Sequence, residues 1–208
     1  MERGFLAAWC APAIPYLAVL IGLYGLRNAW VAVLGYHLGM VVILALEKKW
    51  LRVHALGEGS VRWQLAVALL SGVGVGIAFY LCWPLFGVSG EIGARLAQVC
   101  VTPAAWPAFI LYFVLVNPVL EELFWRGHLA STSRRIIWQD VLFAGYHLLV
   151  MAYFVRWPWL LVALLALTAT AWLWRQLAHR NNGLLVPFVA HAAADAGIMA
   201  AVYVISLR

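Results

Sequence analysis

The sequence has very little charge and no polar stretch long enough for a soluble domain. Of its 208 residues, 11% are charged and 66% are hydrophobic, and only 8 are acidic. Soluble domains carry about 25% charged residues, so this chain could not cover itself with a water-facing surface. The composition therefore excludes soluble enzymes and soluble binding modules, and it predicts a protein built into a membrane.

Several patterns that would indicate other functions are also missing. The three cysteines form no CxxC pair, so no disulfide is expected. The +6 net charge does not come from a basic patch interleaved with aromatic residues, and we expect no nucleic-acid partner. The first apolar run lacks a polar cleavage region, so we expect it to be retained as a helix.

The hydrophobic residues form segments of membrane-spanning length. Crossing about 30 Å of hydrocarbon takes roughly 17–25 apolar residues in a helix. We identify seven segments and one candidate interfacial helix at 88–101; the segments are 5–26, 29–46, 63–87, 102–123, 136–156, 158–174 and 185–206. The sequence thus predicts an all-α polytopic transmembrane helix bundle of about seven helices, six to eight, in a single membrane-embedded domain over residues 1–208.

Basic residues are distributed unevenly between the two ends of these segments, and cytoplasmic loops carry the excess in membrane proteins. One side holds Arg3, Lys48, Lys49, Arg52, Arg62, Arg134, Arg135, Arg175 and Arg180, and the other holds Arg27, Arg95, Arg156 and Arg208. This asymmetry predicts a cytoplasmic N-terminus, an outside C-terminus and contact with the lipid bilayer.

Three ionisable residues lie at or just after the end of the fourth segment. A lipid-facing charge inside a membrane would cost a few kcal/mol. Glu122 and Arg126 are four residues apart and can pair on one helical face. Glu121 is rotated by about 100° from Glu122, and we expect it to point into a cavity. A carboxylate in that position could take a proton from water and return it to a leaving amine.

Later segments add imidazole and carboxyl groups. His147 lies in the middle of the fifth segment, and His191 and Asp195 lie four residues apart on one face of the last. As preorganised donors, the two histidines could stabilise an oxyanion, while Asp195 could orient the His191 ring or share a site with it. These groups together indicate proton-transfer chemistry, most simply hydrolysis of a peptide bond within the bilayer.

Metal dependence stays open at this level. If a metal is bound, Glu121, His147 and His191 could ligate a catalytic zinc ion. No HExxH pattern is present, in which one helix supplies two histidines and the base, so we favour a site with no cofactor.

Three further features concern helix packing. The third segment contains a GxxxG at Gly72 and Gly76, which favours close approach of another helix. His37 could hydrogen-bond another helix from within the second segment. Asn117 and Pro118 precede the paired glutamates, where they could loosen that helix.

The ordered motifs Glu121-Glu122…Arg126, Phe143…His147 and His191…Asp195 resemble the EExxxR, FxxxH and HxxxN or HxxxD motifs of the CPBP family of CAAX proteases and bacteriocin-processing enzymes. The resemblance covers about 102–206, as a catalytic core, and leaves 1–101 as accessory helices. It implies a glutamate-dependent intramembrane endopeptidase. Asp195 stands where the type II CAAX prenyl endopeptidases have an oxyanion-stabilising Asn.

By this resemblance Glu121 would be the general base, and His147, His191 and Asp195 would assist. Glu122, Arg126 and Phe143 would structure the site. The substrate would be a membrane-embedded protein or peptide precursor, with its C-terminal tail as one candidate region for cleavage, and the location a bacterial cytoplasmic membrane.

Two alternatives come from other classes of protein. A non-catalytic membrane scaffold or immunity protein could keep the same fold. A proton-coupled transporter also uses Glu, His and Asp within helices, but we find no repeat between the two halves of the sequence.

Overall fold

The computed structural model describes residues 10–46, 62–88 and 92–208, and helices make up most of these ranges. We number them along the chain as α1 (Ala13–Val19), α2 (Ala29–Leu46), α3 (Arg62–Phe86), α4 (Ile92–Gln98), α5 (Trp106–Leu115), α6 (Asn117–Glu121), α7 (Trp138–Met151), α8 (Trp157–Arg180) and α9 (Leu185–Ser206). Two π-helical segments, Leu20–Gly25 and Glu122–His128, continue α1 and α6.

The predicted all-α polytopic bundle is confirmed. Within the described ranges, five helices are long and apolar enough to cross a membrane, counting α5, α6 and the second π-helical segment as one span, Trp106–His128. Two predicted segments give shorter helices, Ala13–Gly25 and α7, and the candidate interfacial segment contains α4. In the described ranges the sole β-type pairing is an isolated bridge between Gly87 and Val155.

Some of the basic residues that predict the orientation in the membrane lie outside these ranges. Arg3, Lys48, Lys49 and Arg52 fall outside the described residues. Arg175, counted with the flanking charges, is buried and bonds the carboxylate of Asp140 through Nε at 3.0 Å and Nη2 at 2.7 Å. The positive charge of Arg175 is therefore paired with a carboxylate inside the bundle. The three cysteines all lie within the described ranges and are free.

Helices α3 and α9 make the most extensive contact in the bundle through small residues. A Cβ atom at Gly72 would lie 2.4 Å from the carbonyl carbon of Ala193, and one at Gly76 would lie 2.6 Å from the backbone of Gly197. The GxxxG pattern therefore acts as predicted, because only glycine lets the two backbones come this close. This contact fixes the rotation of α9.

Rotation of α9 decides which of its side chains enter the bundle centre. Ala193 lies two residues after His191, about 200° around the helix axis. The face that carries His191 and Asp195 therefore points away from α3 and towards α6. The contact of α9 with α3 thus positions His191 and Asp195 on the opposite face of α9.

Helix α7 is held at both ends. Near its start, Asp140 accepts the backbone N–H of Ile137 at 3.0 Å and pairs with Arg175 of α8. Along its length, the hydroxyls of Tyr16 and Tyr24 donate to the carbonyls of Leu142 at 2.8 Å and Leu149 at 2.6 Å. These bonds set the depth and rotation of the helix that carries His147.

The span Trp106–His128 changes helical geometry before its acidic residues. Pro118 lacks an N–H and its ring would clash with the carbonyl four residues earlier, so α5 ends at Leu115 and α6 begins at Asn117. From Glu122 onward the turns widen to a π-helix, a form that often occurs at functional sites. Glu121 and Glu122 lie on either side of this transition.

Glycine-to-alanine changes in α3 test the role of its contact with α9. Gly76→Ala should lower the free energy of unfolding by about 1–3 kcal/mol, because the added methyl group overpacks against Gly197. Gly74→Ala is the matched control, since a Cβ there meets no atom within 4 Å. Reversible unfolding in detergent micelles measures both, and equal stability of the two variants would contradict the packing assignment.

Candidate active site

A buried ion pair lies at the centre of the site. Arg126 Nη1 donates to Glu122 Oε1 at 3.0 Å, and the two residues are 5% and 1% exposed. They share a face because they are four residues apart, and the predicted pair is therefore present. Such a pair is maintained in an apolar interior only when both charges keep close partners.

His191 of α9 joins this pair to the neighbouring carboxylates. Its Nδ1 donates to Glu122 Oε1 at 2.8 Å, since a carboxylate oxygen accepts. Its Nε2 faces two other carboxylate oxygens, Glu121 Oε2 at 3.8 Å and Asp195 Oδ2 at 3.7 Å. One imidazole ring therefore contacts all three acidic side chains of the site.

Glu121 is 2% exposed and has one bonded and one unbonded oxygen. Its Oε1 accepts a hydrogen bond from the hydroxyl of Tyr36 in α2. Its Oε2 has no hydrogen-bond partner among the described residues and lies 3.8 Å from Nε2 of His191. We expected Glu121 to be free in a cavity, whereas Tyr36 holds one of its oxygens and leaves the other available to accept a proton.

His147 is oriented by its own helix. Its Nδ1 donates to the carbonyl of Phe143 at 2.8 Å, one turn earlier, and its Nε2 lies 3.2 Å from the hydroxyl of Tyr146. The Tyr146 hydroxyl in turn lies 3.4 Å from that of Tyr36, the residue bonded to Glu121. His147 thus connects to the glutamate through two tyrosines.

A second chain of polar side chains reaches Asp195. Asn117 Nδ2 donates to Asp195 Oδ2 at 3.0 Å. Asn117 Oδ1 lies 3.0 Å from Nε2 of His37, whose Nδ1 lies 2.7 Å from the hydroxyl of Tyr112. Helices α2, α5, α6 and α9 are connected through these four side chains.

Aromatic rings enclose the ion pair. The guanidinium carbon of Arg126 lies 4.1 Å from the centre of the Phe143 ring and 5.2 Å from that of Trp174. Trp174 also packs on His191, with ring centres 4.7 Å apart. Arginine on an aromatic face is stabilised by the ring quadrupole, most strongly when water is excluded. Phe143, predicted to structure the site, therefore packs directly on the guanidinium group of Arg126.

The structure brings the predicted residues of all three motifs into one polar cluster. It adds Tyr36, His37, Tyr146 and Trp174, and it gives Asn117 a direct bond to Asp195. Of these, only His37 and Asn117 had a sequence signal, as polar residues inside apolar segments. Tyrosine and tryptophan are abundant in this chain, so their type alone could not single them out.

The side chains named for a metal do not converge on one point. No group of three or more His, Cys, Asp or Glu side chains within the described ranges has the arrangement of a metal site. His191 keeps Nε2 beside Glu121, with Nδ1 held by Glu122 as metal-bound imidazoles commonly are, whereas Nε2 of His147 is bonded to Tyr146. Of the three residues named for zinc, His147 is therefore the one whose placement does not suit a metal ion.

A cavity of about 270 Å³ opens at the loop end of the bundle. Its walls come from the end of the π-helical segment, the end of α8 and the loops that follow them, and they include Arg126, Ser131, Arg175, His179 and Asn182. The cavity reaches the Arg126 side of the ion pair, and Glu121 is not part of its lining.

Residues 103–197 match the family described as Rce1-like type II CAAX prenyl endopeptidases. The match contains all three motifs and excludes α1, α2, α3 and α4. Comparisons with curated proteins and with solved structures found no match. Together with the apolar helix bundle, this match supports the resemblance to CAAX-type intramembrane proteases of the CPBP family that the motifs carry.

Removing the positive partner tests the buried pair. Arg126→Met should lower the free energy of unfolding by about 3–5 kcal/mol, because Glu122 would be left as an uncompensated buried charge. Adding Glu122→Gln should recover most of this loss. Arg134→Met, at an exposed arginine, is the control and should change stability by about 0.5 kcal/mol or less. Chemical unfolding measures all of them, and additive losses in the double variant would contradict the pairing.

Proposed function

We propose that this protein is a glutamate-dependent intramembrane endopeptidase in which Glu121 activates the attacking water. The observation that carries the proposal is the position of Glu121 Oε2, which is buried, has no hydrogen-bond partner among the described residues and lies 3.8 Å from the Nε2 of His191. Glu122 Oε2 also lacks a partner, but Glu122 is held through Oε1 by Arg126 and His191. This oxygen can accept a proton, and the adjacent imidazole can act on the same substrate group. The family match independently supports peptide-bond hydrolysis as the reaction.

The reaction begins when Glu121 takes a proton from water, whose oxygen bonds to the carbonyl carbon of the scissile peptide. The carbonyl oxygen gains the negative charge of the tetrahedral intermediate. Glu121 then returns the proton to the peptide nitrogen, the C–N bond breaks, and a carboxylic acid and an amine leave. No proton is gained or lost over the cycle, so Glu121 ends as it began.

Donors near the developing oxyanion come from the imidazole rings. His191 is held by Glu122 through Nδ1, so its Nε2 is the nitrogen directed at the reacting groups. In its protonated form that nitrogen donates to the oxyanion, and preorganised donors of this kind contribute strongly to catalysis. His147 assists from α7. Asp195 cannot donate when ionised, so it acts by orienting His191.

The substrate is a membrane-embedded protein or peptide precursor, with cleavage near its C-terminal tail as a specific form of this proposal. Burial of Glu121 among apolar helices suits a substrate that arrives through the bilayer. The charge asymmetry of the sequence supports a cytoplasmic N-terminus, and we propose a bacterial cytoplasmic membrane as the location. We propose that the chemistry uses no cofactor, which the lack of an HExxH pattern favours.

Cleavage of membrane-anchored reporter peptides tests the proposal. Wild-type protein in proteoliposomes would be given fluorogenic peptides with one apolar anchor and a C-terminal tail, prenylated and unprenylated. Glu121→Gln should lower kcat by roughly 10²–10⁴-fold, the usual contribution of a general base. His179→Gln is the control, because His179 is exposed and lies outside the polar cluster.

Further outcomes distinguish the alternatives. Activity that survives a strong chelator supports the cofactor-free reaction, and activity lost to the chelator but restored by zinc contradicts it. Equal cleavage by Glu121→Gln and wild type would show that another residue is the base. No cleavage of any reporter by wild-type protein would contradict the proposal for these substrates and favour a non-catalytic scaffold.

A further inference from the structure

Helix α2 lies outside residues 103–197, which match the protease family, yet it supplies two side chains to the polar cluster. Tyr36 and His37 are adjacent in sequence and only 4% and 3% exposed. Tyr36 bonds Glu121, and His37 bonds Asn117. An accessory helix that only covered the core would have no need to place two polar groups there, where each must find a partner.

The hydrogen bonds around Asn117 have a defined direction. An ionised Asp195 can only accept, so Asn117 presents its amide nitrogen to Asp195 and its oxygen to His37. Nε2 of His37 must then donate. In the neutral ring Nδ1 is left as an acceptor, and the hydroxyl of Tyr112 donates to it at 2.7 Å.

Asn117 also has the right position on its helix. It precedes Glu121 by four residues, so both side chains lie on the same face of α6. Glu121 and Asp195 approach the same nitrogen of His191 from two sides, at 3.8 and 3.7 Å. Two carboxylates in that arrangement repel each other, and the amide of Asn117 is the donor that bonds Asp195.

We propose that Asn117, oriented by His37, is a positioning residue that holds the Asp195 carboxylate beside His191, so that α2 is part of the catalytic unit. The inference rests on the proposed function, because the position of Asp195 matters only if His191 takes part in the reaction. Neither His37 nor Asn117 touches the substrate in this account. Both act through Asp195.

A charge exchange tests whether the pair exists, without any need for activity. Asn117→Asp places two carboxylates at hydrogen-bond distance and should lower the thermal unfolding temperature. The double variant Asn117→Asp with Asp195→Asn restores one amide and one carboxylate, and should recover most of the loss. Asn181→Asp is the matched control, because Asn181 is also a buried amide, paired with Gln64 at 2.7 Å outside this cluster. Asp195→Asn should not rescue Asn181→Asp.

Changes at His37 test whether the pair positions the active site. His37→Leu removes the donor to Asn117 and should lower kcat per folded molecule at least tenfold, with KM changed less than twofold. His37→Gln can still donate from its amide nitrogen and should retain kcat within about threefold of wild type. Adding Asn117→Leu to His37→Leu should cause little further loss, because residues that act through one connection are not additive.

The results separate this inference from the proposed function. If Glu121→Gln cleaves like wild type, or if wild type cleaves nothing, the proposed function fails, and the positioning role fails with it. If wild type cleaves in a Glu121-dependent way and His37→Leu keeps full kcat, only the present inference is overturned. It is likewise overturned if the exchange variant is no more stable than Asn117→Asp.

Discussion

The burial of Glu122 constrains the whole arrangement of the site. A carboxylate that is 1% exposed inside an apolar bundle must be neutralised and hydrogen-bonded, or it would destabilise the fold. Its Oε1 accepts hydrogen bonds from Arg126, in the same helical segment, and from His191, in α9. One oxygen atom therefore connects two spans at a fixed distance and orients the His191 ring towards Glu121.

Two kinds of packing make that connection possible. Glycine and alanine on α3 and α9 bring those backbones together and turn His191 and Asp195 away from the contact. Aromatic rings from α7 and α8 pack on the guanidinium group of Arg126. The reactive groups thus stand on rigid helices, and the adjacent carboxylates Glu121 and Glu122 acquire different surroundings from the same span.

Much of the architecture could be predicted from the sequence, because apolar length and small-residue spacing have direct structural consequences. The seven segments correspond to helices, and the GxxxG at Gly72 and Gly76 makes the close contact it predicts. The Glu122–Arg126 pair followed from helical spacing. The contributions of Tyr36 and Trp174 could not be foreseen, because they depend on which helices are neighbours, and no local pattern encodes that. We expected Glu121 to point into an open cavity, whereas in the structure it accepts a hydrogen bond from Tyr36 in a closed polar contact.

The most direct test of the account is a comparison of the two adjacent carboxylates within one protein. Glu121→Gln and Glu122→Gln would be measured side by side for stability and for kcat per folded molecule on the same reporter peptide. We expect Glu121→Gln to unfold like wild type and to lose turnover, whereas Glu122→Gln should be less stable and retain at least about a tenth of wild-type turnover. The reverse pattern would show that Glu122 is the reactive carboxylate and would contradict the account.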